Sequence, residues 1–203
     1  MQFSAMARRR AVLRAGYHGD PTVARHSLTD PDPDVRAAAL RSLERLDDLD
    51  DTTLDLALSD PHASVRIAAL ELAAPRTSPQ IDHLLDDPEP AVVEQAAWAC
   101  GERTTNSGSP ILRLCRLAQD HNDPLVREAA VAALGALGDE AGLSAVLAAT
   151  TDKPAVRRRA VLALAAFEGP EVDAAWDRAR TDRDRQVRDA VEELLGPDDE
   201  ASG

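Results

Sequence analysis

The 203-residue chain holds 44% hydrophobic but only 2% aromatic residues and carries a formal charge of −13, so Ala, Leu and Val must fill its interior. That acidity argues against nucleic acid and against anionic membrane surfaces, both of which call for a basic footprint. No apolar run of about 18 residues is present, which argues against a membrane-spanning helix.

The chain opens on "MQFSAMARRRAVLRAG", which has basic residues but neither an adequate apolar stretch nor a small-residue cleavage site, so a signal peptide is not expected. This segment is expected to form an N-terminal cap helix within residues 1–20. From residue 21 to 196 the sequence repeats. Six stretches carry the copies: "DPDPDVRAAALRSL", "SDPHASVRIAALELA", "DDPEPAVVEQAAWACG", "NDPLVREAAVAALGALGD", "TDKPAVRRRAVLALAAF" and "TDRDRQVRDAVEELLG". Each has an acidic turn, then a Val, usually an Arg, then an Ala- and Leu-rich run. The valines are Val35, Val65, Val92, Val126, Val156 and Val187, separated by 30, 27, 34, 30 and 31 residues, a period that fits a two-helix unit. "ARRRAVLRAG" is a fainter copy 28 residues before Val35. Residues 197–203 read as a disordered acidic tail.

Pro33, Pro90, Pro124 and Pro154 stand two residues before their valines, where a missing N–H costs a helix nothing. Asp32 and Asp123 can cap the free backbone donors. In the fourth copy Val126, Ala130, Val131, Ala133 and Leu134 lie along one helical face. Shorter amphipathic segments, "TTLDLALS", "SPQIDHLLD", "SPILRLCRLAQ", "AGLSAVLAAT" and "EVDAAWDRA", fall between the copies as first helices of successive pairs. A lone pair cannot bury its apolar face, so stacking must supply the core. The expected fold is all-α, a right-handed α-solenoid of about six stacked two-helix repeats.

The pattern Val-Arg-x-x-Ala after an Asp-Pro turn, closest in "VREAAVAALGALGD" (Val126 to Asp139), resembles the HEAT-repeat family in its short bacterial and archaeal form related to bilin-lyase-like repeats. The resemblance implies the solenoid fold over about residues 20–196 and leaves function open, because such folds serve many partners. Two departures stand out. Val93 takes the place of the usual Arg, which removes one polar contact. Glu192 takes an apolar place, which fits a solvent-facing C-terminal cap.

The repeated Arg36, Arg66, Arg127, Arg157 and Arg188 could form an anion-binding ladder, but acids beside each favour structural pairing with turn residues such as Asp30 or Asp60. His18, His26, His62, His83 and His121 form no His-x-x-x-His and no His-Glu pair, so no metal site is expected. Cys100 and Cys115 lack a setting that would lower a thiol pKa, and buried free thiols are expected. No nucleophile elbow and no phosphate-cradling glycine loop occur. The sequence therefore points to no catalytic residue and no cofactor.

Trp98 falls six residues after its Val, in register with Arg41, Glu71, Ala132, Leu162 and Glu193. These positions lie outside the core face and are expected to line a concave surface, with Ile67 at its border. Trp98, Ile67, Leu162, Arg41 and Ala132 thus form the candidate partner-binding face. A register shifted to Val93 would instead bury Trp98; Asp87 and Pro90 favour Val92. Trp176 reads as packing. Of the basic clusters, Arg8–Arg9–Arg10 and Arg157–Arg158–Arg159, Arg158 and Arg159 are candidates for docking an acidic partner segment. The expected function is a non-enzymatic, cytoplasmic, monomeric scaffold or adaptor for a protein or peptide. The alternative is a lyase-like subunit acting on a tetrapyrrole-carrying protein.

Overall fold

Asp-Pro punctuation and alanine-rich helices fix the local architecture. The structure, a computed structural model, describes residues 3–103 and 110–196; the expected tail at 197–203 lies outside them. Among the described residues there are twelve α-helices, three short 3-10 stretches and no strand. The helices are α1 (Ala5–His18), α2 (Pro21–Ser27), α3 (Pro33–Arg45), α4 (Asp51–Leu58), α5 (Ala63–Ala73) and α6 (Pro90–Glu102). They continue with α7 (Ile111–Asp120), α8 (Pro124–Leu137), α9 (Leu143–Ala149), α10 (Pro154–Ala163), α11 (Pro170–Arg180) and α12 (Arg185–Leu195).

Each predicted proline opens its helix, and the carboxylates of Asp32 and Asp123 accept backbone N–H groups at the starts of α3 and α8. The six repeat valines begin six second helices, and none is more than 2% exposed. In α8 the buried set is Val126, Ala130, Val131, Ala133 and Leu134, the face read from periodicity. One first helix departs from expectation. "SPQIDHLLD" forms only a 3-10 stretch, Asp82–Asp86, flanked by Pro79 and Pro88. The segment expected as a cap is the full helix α1, and α2, capped by Asp20, precedes α3 as its pair.

The chain divides into two compact units, Met1–Ala99 and Cys100–Gly203. In the first, α1 packs on α2 and α3, α3 on α5, and α4 on α5. Its core contains the fully buried Leu40, Leu43, Leu54, Leu58, Leu70 and Leu85. In the second, α7 packs on α8, α8 on α10, and α10 on α12. Burying a leucine of this kind contributes about 2–3 kcal/mol. Small residues bring the second helices close together: a Cβ on Gly135 would lie 2.6 Å from Ala163 Cβ.

The repeated arginines form the second fixed feature. Arg36 grips Asp60 with two hydrogen bonds, and Arg66 grips Asp87, Arg127 Asp152, and Arg157 Asp182 in the same way. Arg8 joins the series by pairing with Asp30, so the first basic cluster is not uniformly solvated. In each case the third guanidinium nitrogen donates to a backbone carbonyl, as in Arg66 to Asp60 O at 2.8 Å. Among the described residues, Arg188 makes that carbonyl bond alone. At the third copy Val93 is buried, exchanging the polar contact for apolar packing. Glu192 is exposed.

Candidate functional site

A helix capped at an acidic turn and buried through its Val, Ala and Leu positions must turn its remaining face outward, and that face carries the candidate residues. Within the first unit, Arg41 and Glu71 are exposed and pair with each other at 2.8 Å. Arg41 is therefore already engaged. Ile67 is half-buried and Trp98 is 42% exposed, so the register starting at Val92 holds and Trp98 does not belong to the core. In a chain with two tryptophans, this outward one is a large apolar surface held on a rigid helix.

Within the second unit, Ala132 and Leu162 are half-buried and line an open cleft of about 350 Å³ between α8 and α10. Gly135, Ala136, Ala165 and Ala166 complete its apolar lining, with Arg159 at one side. Those small residues were not singled out in the sequence, although their positions three and four after Ala132 and Leu162 carry the signal. Arg159 approaches Glu128 at 3.5 Å, and its buried Nε has no hydrogen-bond partner among the described residues. Arg158 is half-buried, and no described residue hydrogen-bonds or ion-pairs with it. A further hollow of about 330 Å³, which sequence reasoning missed, lies within the first unit beside Leu28, Leu40, Leu56 and the Arg36–Asp60 pair. Its rim residue Leu56 is 72% exposed.

The remaining candidates have structural roles. Trp176 packs against the buried cluster that holds Val161, Val187 and Val191, and its indole N–H donates to Val161 O at 3.2 Å. Cys100 is buried and Cys115 only half-buried, where burial and the nearby Asp139 push its thiol pKa up rather than activating it. His62 caps α5, and the His121 ring accepts the Asp123 N–H at 3.1 Å. Among the described residues, no three His, Cys, Asp or Glu side chains gather as metal ligands, and no helix is long and apolar enough to cross a membrane.

A family model described as HEAT repeats matches residues 79–155 and 111–196, and a second, HEAT repeat, matches 21–48. The chain belongs to the HEAT-repeat family. No curated protein matches it. Among solved structures, this HEAT-repeat protein is similar to a designed armadillo repeat protein in complex with the peptide (KR)4, at 19% identity and a TM-score of 0.62. The likeness covers 86% of this chain and 97% of that one. A second designed armadillo repeat protein is 17% identical with a TM-score of 0.56, covering 86% and 98%. Both show the α-solenoid fold class. Human deoxyhypusine hydroxylase is 23% identical over 95% of this chain and 79% of its own, but its TM-score of 0.48 is too loose to speak for shared chemistry.

Proposed function

We propose that this HEAT-repeat protein is a non-enzymatic scaffold or adaptor that takes a protein or peptide partner on the outward face of its second helices. The observation that carries the reading is Trp98, 42% exposed on a helix whose neighbouring positions are fully buried. Aromatic anchors surrounded by a polar rim are where binding energy concentrates. By repeat register Ile67 would border it in the first unit, with the exposed Arg41–Glu71 pair as polar rim. Ala132 and Leu162 offer the corresponding apolar contact in the second unit; Arg158 is available to acidic side chains of a partner, and Arg159 would have to share its guanidinium with Glu128. The designed armadillo repeat protein that holds a peptide lends support at the level of fold. The same proposal places the chain in the cytoplasm, where its two thiols stay reduced.

The test is quantitative affinity capture from native lysate with wild type and Trp98→Arg in parallel, backed by titration of the captured partner against Trp98 fluorescence in a Trp176→Phe background. A partner captured by wild type and lost from the mutant, with a blue shift on titration, supports the reading. Equal capture by both removes Trp98 from the site, and no capture above background by either removes the adaptor reading.

A further inference from the structure

The second helices stack in a fixed register, and that register extends to faces of α1 and α12 that no described residue covers. Within the second unit, α10 packs on α12, and Val161, five residues after its repeat Val, shares one buried cluster with Ala179 and with Val187, Ala190 and Val191 of the following second helix. The last three are the repeat Val and the residues three and four after it. Leu162, six after the Val, borders the same cluster.

In α12 the positions matching Val161 and Leu162 are Glu192 and Glu193, both exposed, with exposed Asp189 one turn earlier. Leu195, 42% exposed, lies beside them. Arg185 is the one basic residue exposed on α12, and it lies 3.4 Å from Asp189.

In the first unit, α1 is a second helix by two independent marks. Arg8 makes the repeated arginine–aspartate pair. A Cβ on Gly16 would meet Ser42 at 2.9 Å, as one on Gly135 would meet Ala163. The α1 positions matching Val187, Ala190 and Val191 are therefore Ala7, Arg10 and Ala11, all exposed, followed by exposed Arg14. Met6 beside them is 81% exposed. No acidic residue occurs from Ala5 to His18, and Arg9 adds to the charge.

We propose that copies of this chain associate head to tail, the α12 face of one copy packing on the α1 face of the next and continuing the second-helix stack. Glu192 then faces Ala7, Arg10 and Ala11, and Glu193 borders the same basic surface near Arg14. Polar terminal faces also serve to keep repeat stacks soluble. Solubility alone needs no particular sign, however, and here the signs are opposite at positions the register brings together. The contact is heterologous, one surface on a different surface, so it can recur from copy to copy. The net charge of −13 makes copies repel at long range. At about 0.15 M salt that repulsion is screened beyond roughly 8 Å, whereas pairs in contact survive. The proposal departs from the monomer expected from sequence and does not depend on Trp98.

Analytical ultracentrifugation of the full chain at about 0.15 M salt, over a wide concentration range, tests it. Wild type is expected to rise above its 21.7 kDa monomer mass with concentration. Arg10→Glu/Arg14→Glu and Glu192→Arg/Glu193→Arg, each checked for unchanged helical circular dichroism and melting, are expected to weaken association by about tenfold or more. Mixing the two variants should restore it, because each then meets a face of opposite charge. Wild type at monomer mass at every concentration, association unchanged by either reversal, or a mixture that stays monomeric would each overturn the proposal.

Discussion

Arg66 reaches from α5 to Asp87 of the following turn, its Nε and Nη2 donating to the two carboxylate oxygens at 2.8 Å each, with the side chains only 10% and 5% exposed. The same Asp87 carboxylate accepts the Glu89 N–H, so one acid holds both the arginine and the turn that leads into α6. Bidentate geometry with little water access makes this pair costly to halve.

Arg66→Ala is expected to destabilise the protein by about 3 kcal/mol, because it strands the Asp87 carboxylate. The double variant Arg66→Met/Asp87→Leu should recover part of that loss, since an apolar pair needs no desolvation of charge but leaves the Glu89 N–H without its acceptor. Urea unfolding of the two variants and wild type measures both effects.

Gly135→Ala places a methyl 2.6 Å from Ala163 Cβ and 2.7 Å from its Cα, where backbone rather than a flexible side-chain end must move. Alanine's better helix propensity offsets about 1 kcal/mol, but overpacking of about 1–3 kcal/mol should dominate. Gly101→Ala, whose nearest neighbour would be Ala133 Cα at 3.0 Å, should cost less. Thermal melts of the two variants check the order.

Acid should loosen the fold through its turn aspartates. The hydrogen bond from Arg127 holds the Asp152 carboxyl below the ordinary carboxylate value, outweighing the upward push of burial, and Arg157 does the same for Asp182. At Asp60 burial alone would raise the value, but Arg36 and the His62 N–H more than offset it. A folded-state pKa below the unfolded one contributes stability that is complete above about pH 4 and lost as pH falls through the lower folded value. Unfolding free energy measured against pH should therefore fall on the acid side, and more shallowly in Arg127→Met and Arg157→Met.

The two tryptophans should separate binding from folding. Trp98→Arg is expected to change stability by less than about 1 kcal/mol, as befits an outward position. Trp176→Ala, which empties a site against Val161 and frees that residue's carbonyl, should cost about 3 kcal/mol. Chemical denaturation beside the capture experiment distinguishes them.

The sequence by itself determined the repeat, the helix starts at Pro33, Pro90, Pro124 and Pro154, the buried valines and the pairing role of the recurring arginines. Each of these follows from short-range rules, capping, proline geometry and a helical apolar stripe, and each is written again in every copy. The outward placement of Trp98 was legible only as far as Asp87 and Pro90 fixed the register. The tertiary structure alone decided that Arg41 is tied to Glu71, that Arg8 belongs with Asp30 rather than with Arg9 and Arg10, and that Cys115 is half-buried. It also decided that the third first helix shrinks to Asp82–Asp86, and that small residues open a cleft beside Leu162. These depend on which side chains from distant parts of the chain meet, and a pattern read along one helix does not record the partner that fills or leaves open the space beside it.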